Sequence, residues 1–297
     1  MSEPVLVDGT SLSLEDVERV ARGSARVRLA PEARQRMEAS RAVVERALEE
    51  GRAVYGVTTG FGRLSDTAID AEDIRGLQRN LLFSHAAGVG DPLAADVVRA
   101  MALLRANTLA GGRCGVRPVV CERLLEILDA GIHPRVPAQG SVGASGDLAP
   151  LAHLALLLIG EGEVWRKGPD GSAGWVPAAA VLADHGIEPI RLEAKEGLSL
   201  VNGTQLMTAV GALTLLDAER LVEAAEVSGA LSLEAMRGTR SALREEIHTA
   251  RPHPGQVESA ARLRSLLGET SEIGDSHKDC GRVQDPYSIR CMPQVHG

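Results

Sequence analysis

Residues Gly140–His153 read GSVGASGDLAPLAH. Gly140, Gly143 and Gly146 recur at every third position among small side chains, so the backbone can fold tightly here without Cβ clashes. A plain glycine-rich turn leading into the apolar run Leu148–Ile159 would use the same residues. The tripeptide Ala144-Ser145-Gly146 opens a chemical alternative. Attack of the Gly146 amide nitrogen on the Ala144 carbonyl closes a five-membered ring. Loss of one water from that step and another from the Ser145 side chain leaves an exocyclic methylidene, a strong electrophile made from the chain itself. A side chain at position 146 would crowd the attacking nitrogen, and Asp147 stands where it can move protons during closure.

Working outward, Asp147 is expected to begin a helix through Leu148–Ile159, whose N-terminus would favour negative charge on the ring oxygen. His153 on that helix reads as a core histidine with a backbone partner. Upstream, Pro118–Gly131 forms one helix, and Asp91 caps another that has Pro92 in its first turn and ends at Gly111-Gly112. The preceding stretch ends in Ser84-His85-Ala86-Ala87-Gly88, on pattern alone a helix end with a hydrogen-bonded histidine. Tyr55–Gly62, YGVTTGFG, suits a loop, with Tyr55 as a half-buried anchor. The N-terminal part reads as a strand at Val5–Val7, a turn at Asp8-Gly9, a helix capped by Ser13-x-x-Asp16, and a helix from Pro31 to Gly51.

Downstream, Trp165–Trp175 brackets a turn-rich surface hairpin. Asn202-Gly203, ordinarily a turn pair, precedes an apolar pattern of helical spacing from about Thr204 to Arg237, so Asn202 could be its N-cap. One long helix, or two in line, fits a bundle in which helices of several subunits pack side by side. A shorter helix covers Gln256–Leu267. Gln284, Tyr287 and Arg290 recur at intervals of three and would share a face if helical; a solvated loop is the alternative. His277, Cys280, Cys291 and His296 have spacings only loosely like those of a zinc module.

Composition narrows the classes. A net charge of −8 without a basic stripe argues against a nucleic-acid partner. The start lacks a signal pattern, four cysteines make no disulfide framework, and Leu148–Ile159 is too short for a bilayer. A soluble cytoplasmic protein without a membrane partner is expected. Aromatic residues are only 2% of the 297, so the core must be packed from Ala, Leu and Val, as close-packed helices allow.

The block Gly140–His153 resembles the signature of the ammonia-lyases and aminomutases that carry a methylidene-imidazolone prosthetic group. With Tyr55–Gly62, Ser84-His85 and Gln284–Gly297, the likeness is to the histidine-specific members. This resemblance implies a mainly α fold, a long-helix bundle of the fumarase/aspartase-like type with a small mixed N-terminal region carrying the prosthetic-group loop. Residues 1–200 would form the N-terminal domain and 201–297 the start of the central bundle, which in the family continues beyond the position of Gly297. It implies a 4-methylidene-imidazol-5-one formed from Ala144, Ser145 and Gly146 with the help of Asp147, and no metal. Tyr55 would be the catalytic base, on a loop that covers the site, and Tyr287 would act beside it. His85 would read the substrate side chain, Asn202 and Gln284 would bind ring or substrate, and Arg290 would clamp the carboxylate. The substrate would be L-histidine, lost as trans-urocanate and ammonia in histidine catabolism. The assembly would be a homotetramer with shared active sites. Another aromatic amino acid ammonia-lyase or a 2,3-aminomutase of the same family, and a non-catalytic subunit with uncyclised Ala144–Gly146, are the competing expectations.

Overall fold

A computed structural model describes residues 3–23, 25–60, 69, 73–168, 171–277 and 279–297. The fold is mainly α, in two compact units, residues 1–213 and 214–297. In the first, strands β1 (Val5–Val7) and β2 (Val27–Leu29) pair in parallel, with Val5 opposite Val27, across helix α1 (Leu14–Ala21). Ser13 and Asp16 close a reciprocal capping box at the start of α1, satisfying two otherwise orphaned donors. Helix α2 (Pro31–Glu49) opens on its proline as expected. Helices α3 (Ile74–His85), α4 (Ala95–Ala110) and α5 (Pro118–Asp129) follow.

The core is aliphatic. Ala100, Met101, Leu103, Ala106, Leu109 and Ala110 of α4 are fully buried, with Val120, Leu124 and Ile127 of α5. No described aromatic side chain lies in it. Alanines on facing surfaces let helices approach closely, and dense packing then supplies the contacts that rings would otherwise make.

Asp91 and Pro92 do not open α4. They belong to strand β3 (Val89–Pro92), antiparallel to β4 (Pro137–Gln139), with Val89 opposite Gln139 and Pro92 opposite Pro137. The Leu93 N–H donates to the Val136 carbonyl at 2.8 Å. This long-range pairing holds the chain extended, so coiling starts only at Ala95, and the tertiary partner overrides the local capping signal. Helix α6 (Leu148–Leu158) begins at Asp147 as expected. The hairpin is β5 (Glu163–Lys167) against β6 (Ala173–Pro177), with Trp165 opposite Trp175 and their rings edge-on at 5.2 Å. Helices α7 (Ala178–Asp184) and α8 (Glu196–Val201) complete the stretch.

The long apolar pattern is one helix, α9 (Gln205–Ala235). The first unit reaches residue 213 rather than 200, because Leu206, Ala209, Ala212 and Leu213 of α9 bury their side chains in the N-terminal core. Farther along, α9 exposes Leu215, Leu221, Val222, Val227 and Leu231. In the second unit, α10 (Glu245–Thr249), α11 (Pro254–Leu267), α12 (Glu272–Ser276), α13 (Tyr287–Arg290) and α14 (Met292–His296) follow. Its core gathers Ala230, Leu233, Leu243, Leu263, Leu267, Ile289 and Met292.

Candidate active site

Asp147 is the N-cap of α6, yet its carboxylate does not cap that helix. One oxygen accepts from Ser141 Oγ at 2.8 Å. The other accepts from the Met207 N–H, in the first turn of α9, at 3.0 Å. Its own N–H donates to the Gly203 carbonyl at 2.6 Å. Asp147 is wholly buried, and these bonds staple the glycine-rich loop to the segment 203–207. Gly146 has φ +109°, and a Cβ there would lie 2.0 Å from the Gly203 oxygen. Only glycine fits, for backbone conformation and for space alike. Ala144 and Ser145 remain exposed, so the reactive tripeptide is anchored at its buried end and open at the other.

His85 ends α3. Its Nδ1 lies 2.9 Å from the Leu81 carbonyl, which assigns the proton to Nδ1 and leaves Nε2 as an acceptor. Ser84 Oγ, 3.0 Å from the same nitrogen, donates to the Leu81 carbonyl as well. Beyond it, the Gly88 N–H donates to His153 Nε2 at 3.2 Å, and a Cβ on Gly140 would lie 3.2 Å from Gly88 Cα. Two glycines and the β3–β4 pairing thus lay the His85 segment against the base of the loop. His153 is the structural histidine expected.

Burial, and then the charge of Arg135, push the His153 pKa below its ordinary 6.5. The neutral ring that accepts from Gly88 is therefore the native form. Because the unfolded chain binds this proton at higher pH, the stabilising share of His153 is whole above pH 6.5 and is lost as pH falls below it. Glutamine at 153 keeps an acceptor and cannot titrate. The variant is expected to show a flatter decline of the urea midpoint between about pH 6.5 and 5. An unchanged slope would assign the decline to other groups.

Asn202 is not the N-cap of α9. It ends α8 instead, its N–H donating to the Leu198 carbonyl at 3.1 Å, while its own carbonyl accepts from Arg105 at 3.0 Å. The buried Arg105 guanidinium takes up this end of the turn, so the residue faces back to α8. Its neighbour Gly203 touches Gly146, which brings Asn202 beside the loop. Tyr55 opens a turn closed by backbone bonds from Val57 and Thr58 to the Val54 carbonyl, and Thr58 Oγ1 ties the turn to Val54 and Arg52. The ring is half exposed. Phe61 and Gly62, the end of that motif, lie outside the described residues.

Gln284, Tyr287 and Arg290 come together in the second unit. The Arg290 guanidinium lies 4.2 Å over the Tyr287 ring. In the amide orientation that satisfies both groups, the Gln284 oxygen accepts from Arg290 Nε at 2.9 Å. Helix α13 has only four residues and Gln284 precedes it, so the three meet through a turn rather than along one helical face. The buried Asp285 anchors that turn by accepting from the Thr239 N–H at 2.6 Å and from Arg282 at 3.0 Å. Burial raises its pKa, but these donors outweigh burial and hold it below the usual value.

Among the described residues no group of three or more His, Cys, Asp or Glu side chains is arranged to hold a metal. His277 turns its ring nitrogens to the carbonyls of Ile273 and Gly238. Sequence reasoning missed Arg105, Ser141 and Asp285. Of these only Arg105 left a signal, a lone cation in the apolar run Met101–Ala110.

The profile of a family described as aromatic amino acid lyase matches residues 12–297. The chain is 54% identical over 299 residues to a histidine ammonia-lyase of Anaeromyxobacter dehalogenans (strain 2CP-C), covering 99% of this chain and 59% of that protein. Its fold is similar to the crystal structure of histidine ammonia-lyase from Trypanosoma cruzi, with TM-score 0.86 and 40% identity over 99% of this chain and 53% of the other. The tyrosine aminomutase of Streptomyces globisporus is similar too, with TM-score 0.86 and 42% identity over 99% and 58%. The chain thus spans less than three fifths of these relatives.

Proposed function

Since the chain belongs to the aromatic amino acid lyase family, we propose that it serves the elimination of ammonia from L-histidine to trans-urocanate, a step of histidine catabolism. The group required is a 4-methylidene-imidazol-5-one made from Ala144, Ser145 and Gly146, with no metal. The observation that carries this reading is the anchorage of Gly146 and Asp147, where a Cβ has no room and the buried Asp147 carboxylate is held by Ser141 and Met207. Once formed, the group supplies an electrophilic carbon that turns the substrate amino group into a better leaving group.

The chain's own residues do the rest. Tyr55 removes the β-proton as general base. Arg290 binds the substrate carboxylate through its planar fork, and Gln284 holds that fork ready in the meantime. Tyr287 steadies the guanidinium from its ring face, and Asn202, beside the loop, is assigned a hydrogen bond to the ring or to a substrate carboxylate. His85 Nε2 accepts the imidazole N–H of the substrate, which a phenyl ring cannot offer.

Tyr55 and Tyr287 are both more than half exposed in one chain. A homotetramer, closing these faces and covering the exposed leucines and valines of α9, is the assembly we propose. Its four cysteines are free, which suits the reducing cytoplasm. The likeness to tyrosine aminomutase favours a second reading, a 2,3-aminomutase, which would yield a β-amino acid in place of urocanate.

The intact mass tests the chemistry. A deficit of two waters, about 36 Da, is expected from the purified chain, and the full encoded mass would overturn the reading. With the ring present, Tyr55→Phe is expected to keep the deficit and to lower urocanate formation from L-histidine by at least about 100-fold. Near-normal turnover would remove Tyr55 from the role of base.

A further inference from the structure

Arg105 lies on α4 and is 2% exposed. Its guanidinium reaches across to the other side of the loop's anchor. It donates to the carbonyls of Ser199 and Asn202 and to the side-chain oxygen of Gln205, the last two at 3.0 and 2.9 Å. The Gln205 amide nitrogen in turn donates to Thr108, one turn along α4 from Arg105, at 3.0 Å. Among the described residues none of these partners is a carboxylate, and Nε has no partner at all. Burial pulls the guanidinium down to about 10, so it is still a cation at neutral pH.

A buried cation facing only neutral acceptors is costly, and an apolar side chain in the same space would serve packing better. What the cation holds explains its presence. Its three acceptors span Ser199 to Gln205, the turn that carries Asn202 and whose Gly203 carbonyl receives the Asp147 N–H. Gly203 is pressed between Arg105 and Gly146. A Cβ on it would meet Arg105 at 2.4 Å, and a Cβ on Gly146 would meet its oxygen at 2.0 Å. The chain of contact runs from guanidinium to turn to the Gly146–Asp147 peptide without a gap.

We propose that Arg105 is a positioning residue for the electrophile: by gripping the Ser199–Gln205 turn from behind, it fixes the Gly203 carbonyl that holds the Gly146–Asp147 peptide for ring closure, and sets Asn202 beside it. The closing step forms the bond from Gly146 N to the Ala144 carbonyl carbon. The Ala144 oxygen leaves as water with the Gly146 and Ser145 amide protons. The Ser145 hydroxyl then leaves as a second water with the Ser145 α-proton. Arg105 takes no part in these transfers; it holds the acceptor that anchors the peptide immediately after the reacting Gly146 nitrogen.

The ring-closure arm of the test rests on the function proposed above, and the exchange arm does not. Amide hydrogen exchange is followed in the stretches 140–148 and 199–207, with 118–129 of α5 as reference, in the wild-type chain, Arg105→Met and Arg105→Lys. In Arg105→Met both stretches are expected to exchange faster by on the order of tenfold, with 118–129 unchanged and the two-water deficit lost. Lysine keeps the charge without the fork, so Arg105→Lys is expected to fall between the two.

Wild-type exchange in 140–148, or opening confined to 199–207, would overturn the proposal, as would a full ring yield in a folded Arg105→Met chain. Should Arg105→Met not fold, Arg105→Lys decides, since wild-type exchange in both of its stretches overturns the proposal equally. A wild-type chain of full encoded mass would sink the ring chemistry alone, and the exchange comparison would still decide what Arg105 holds.

Discussion

Ser145→Ala is expected to leave the fold intact and to abolish the electrophile proposed above. Ser145 is exposed at the open end of the anchored loop, and a surface substitution of this kind changes stability by no more than about 0.5 kcal/mol. Its hydroxyl is the leaving group of the second dehydration, and alanine has nothing to expel. Ring closure could then remove at most one water, about 18 Da in place of about 36. Borohydride or cyanide, which add to the electrophilic carbon, should label the wild-type chain and leave the variant untouched. If the proposed elimination runs through that carbon, urocanate formation falls by at least about 1,000-fold, roughly 4 kcal/mol of transition-state stabilisation. An adduct on the variant, or turnover within tenfold of wild type, would mean that Ser145 is not the source of the electrophile.

The second large effect belongs to Gly146→Ala, and it is one of shape. The alanine Cβ would lie 2.0 Å from the Gly203 oxygen, a backbone atom that cannot swing aside. The positive φ of +109° adds a conformation that L-residues avoid. Relief requires moving the Gly203 turn, which breaks the bond from the Asp147 N–H and loosens the staple around the buried carboxylate. A cost of about 3 kcal/mol or more is expected in the urea midpoint, together with loss of the two-water deficit.

Gly143 provides the control. Its φ is also positive, at +73°, but a Cβ there meets nothing within 4 Å. Gly143→Ala should cost only about 1–2 kcal/mol of backbone strain and still form the ring. If the two variants behaved alike, the close approach of Gly203 would not be the reason for glycine at 146.

Much of this was legible in the chain. Periodicity marked α9 within two residues at either end, the capping box marked α1, and the facing tryptophans marked the hairpin, because each is written in neighbouring side chains. Asp91-Pro92 misled for the same reason. The pair is a sound helix start locally, but β4 lies 45 residues on, and its hydrogen bonds outcompete a cap. Asn202 misled likewise, since the Arg105 guanidinium that takes up its carbonyl comes from a different helix.

The site divides along the same line. The residue types of the tripeptide and its neighbour Asp147 can be picked from the chain because their chemistry is intrinsic to the groups; the trio Gln284, Tyr287 and Arg290 stands out only through the family resemblance. Their arrangement cannot be picked from the chain. That Asp147 gives one carboxylate oxygen to Met207, and that a buried Arg105 grips the turn against Gly146, depend on contacts between segments 60–100 residues apart. Linear order thus determined helices, turns and candidate chemistry, which arise from interactions within a few residues. Only the tertiary structure decided why position 146 must be glycine, because the atom that forbids a side chain there is the Gly203 carbonyl, brought in by packing.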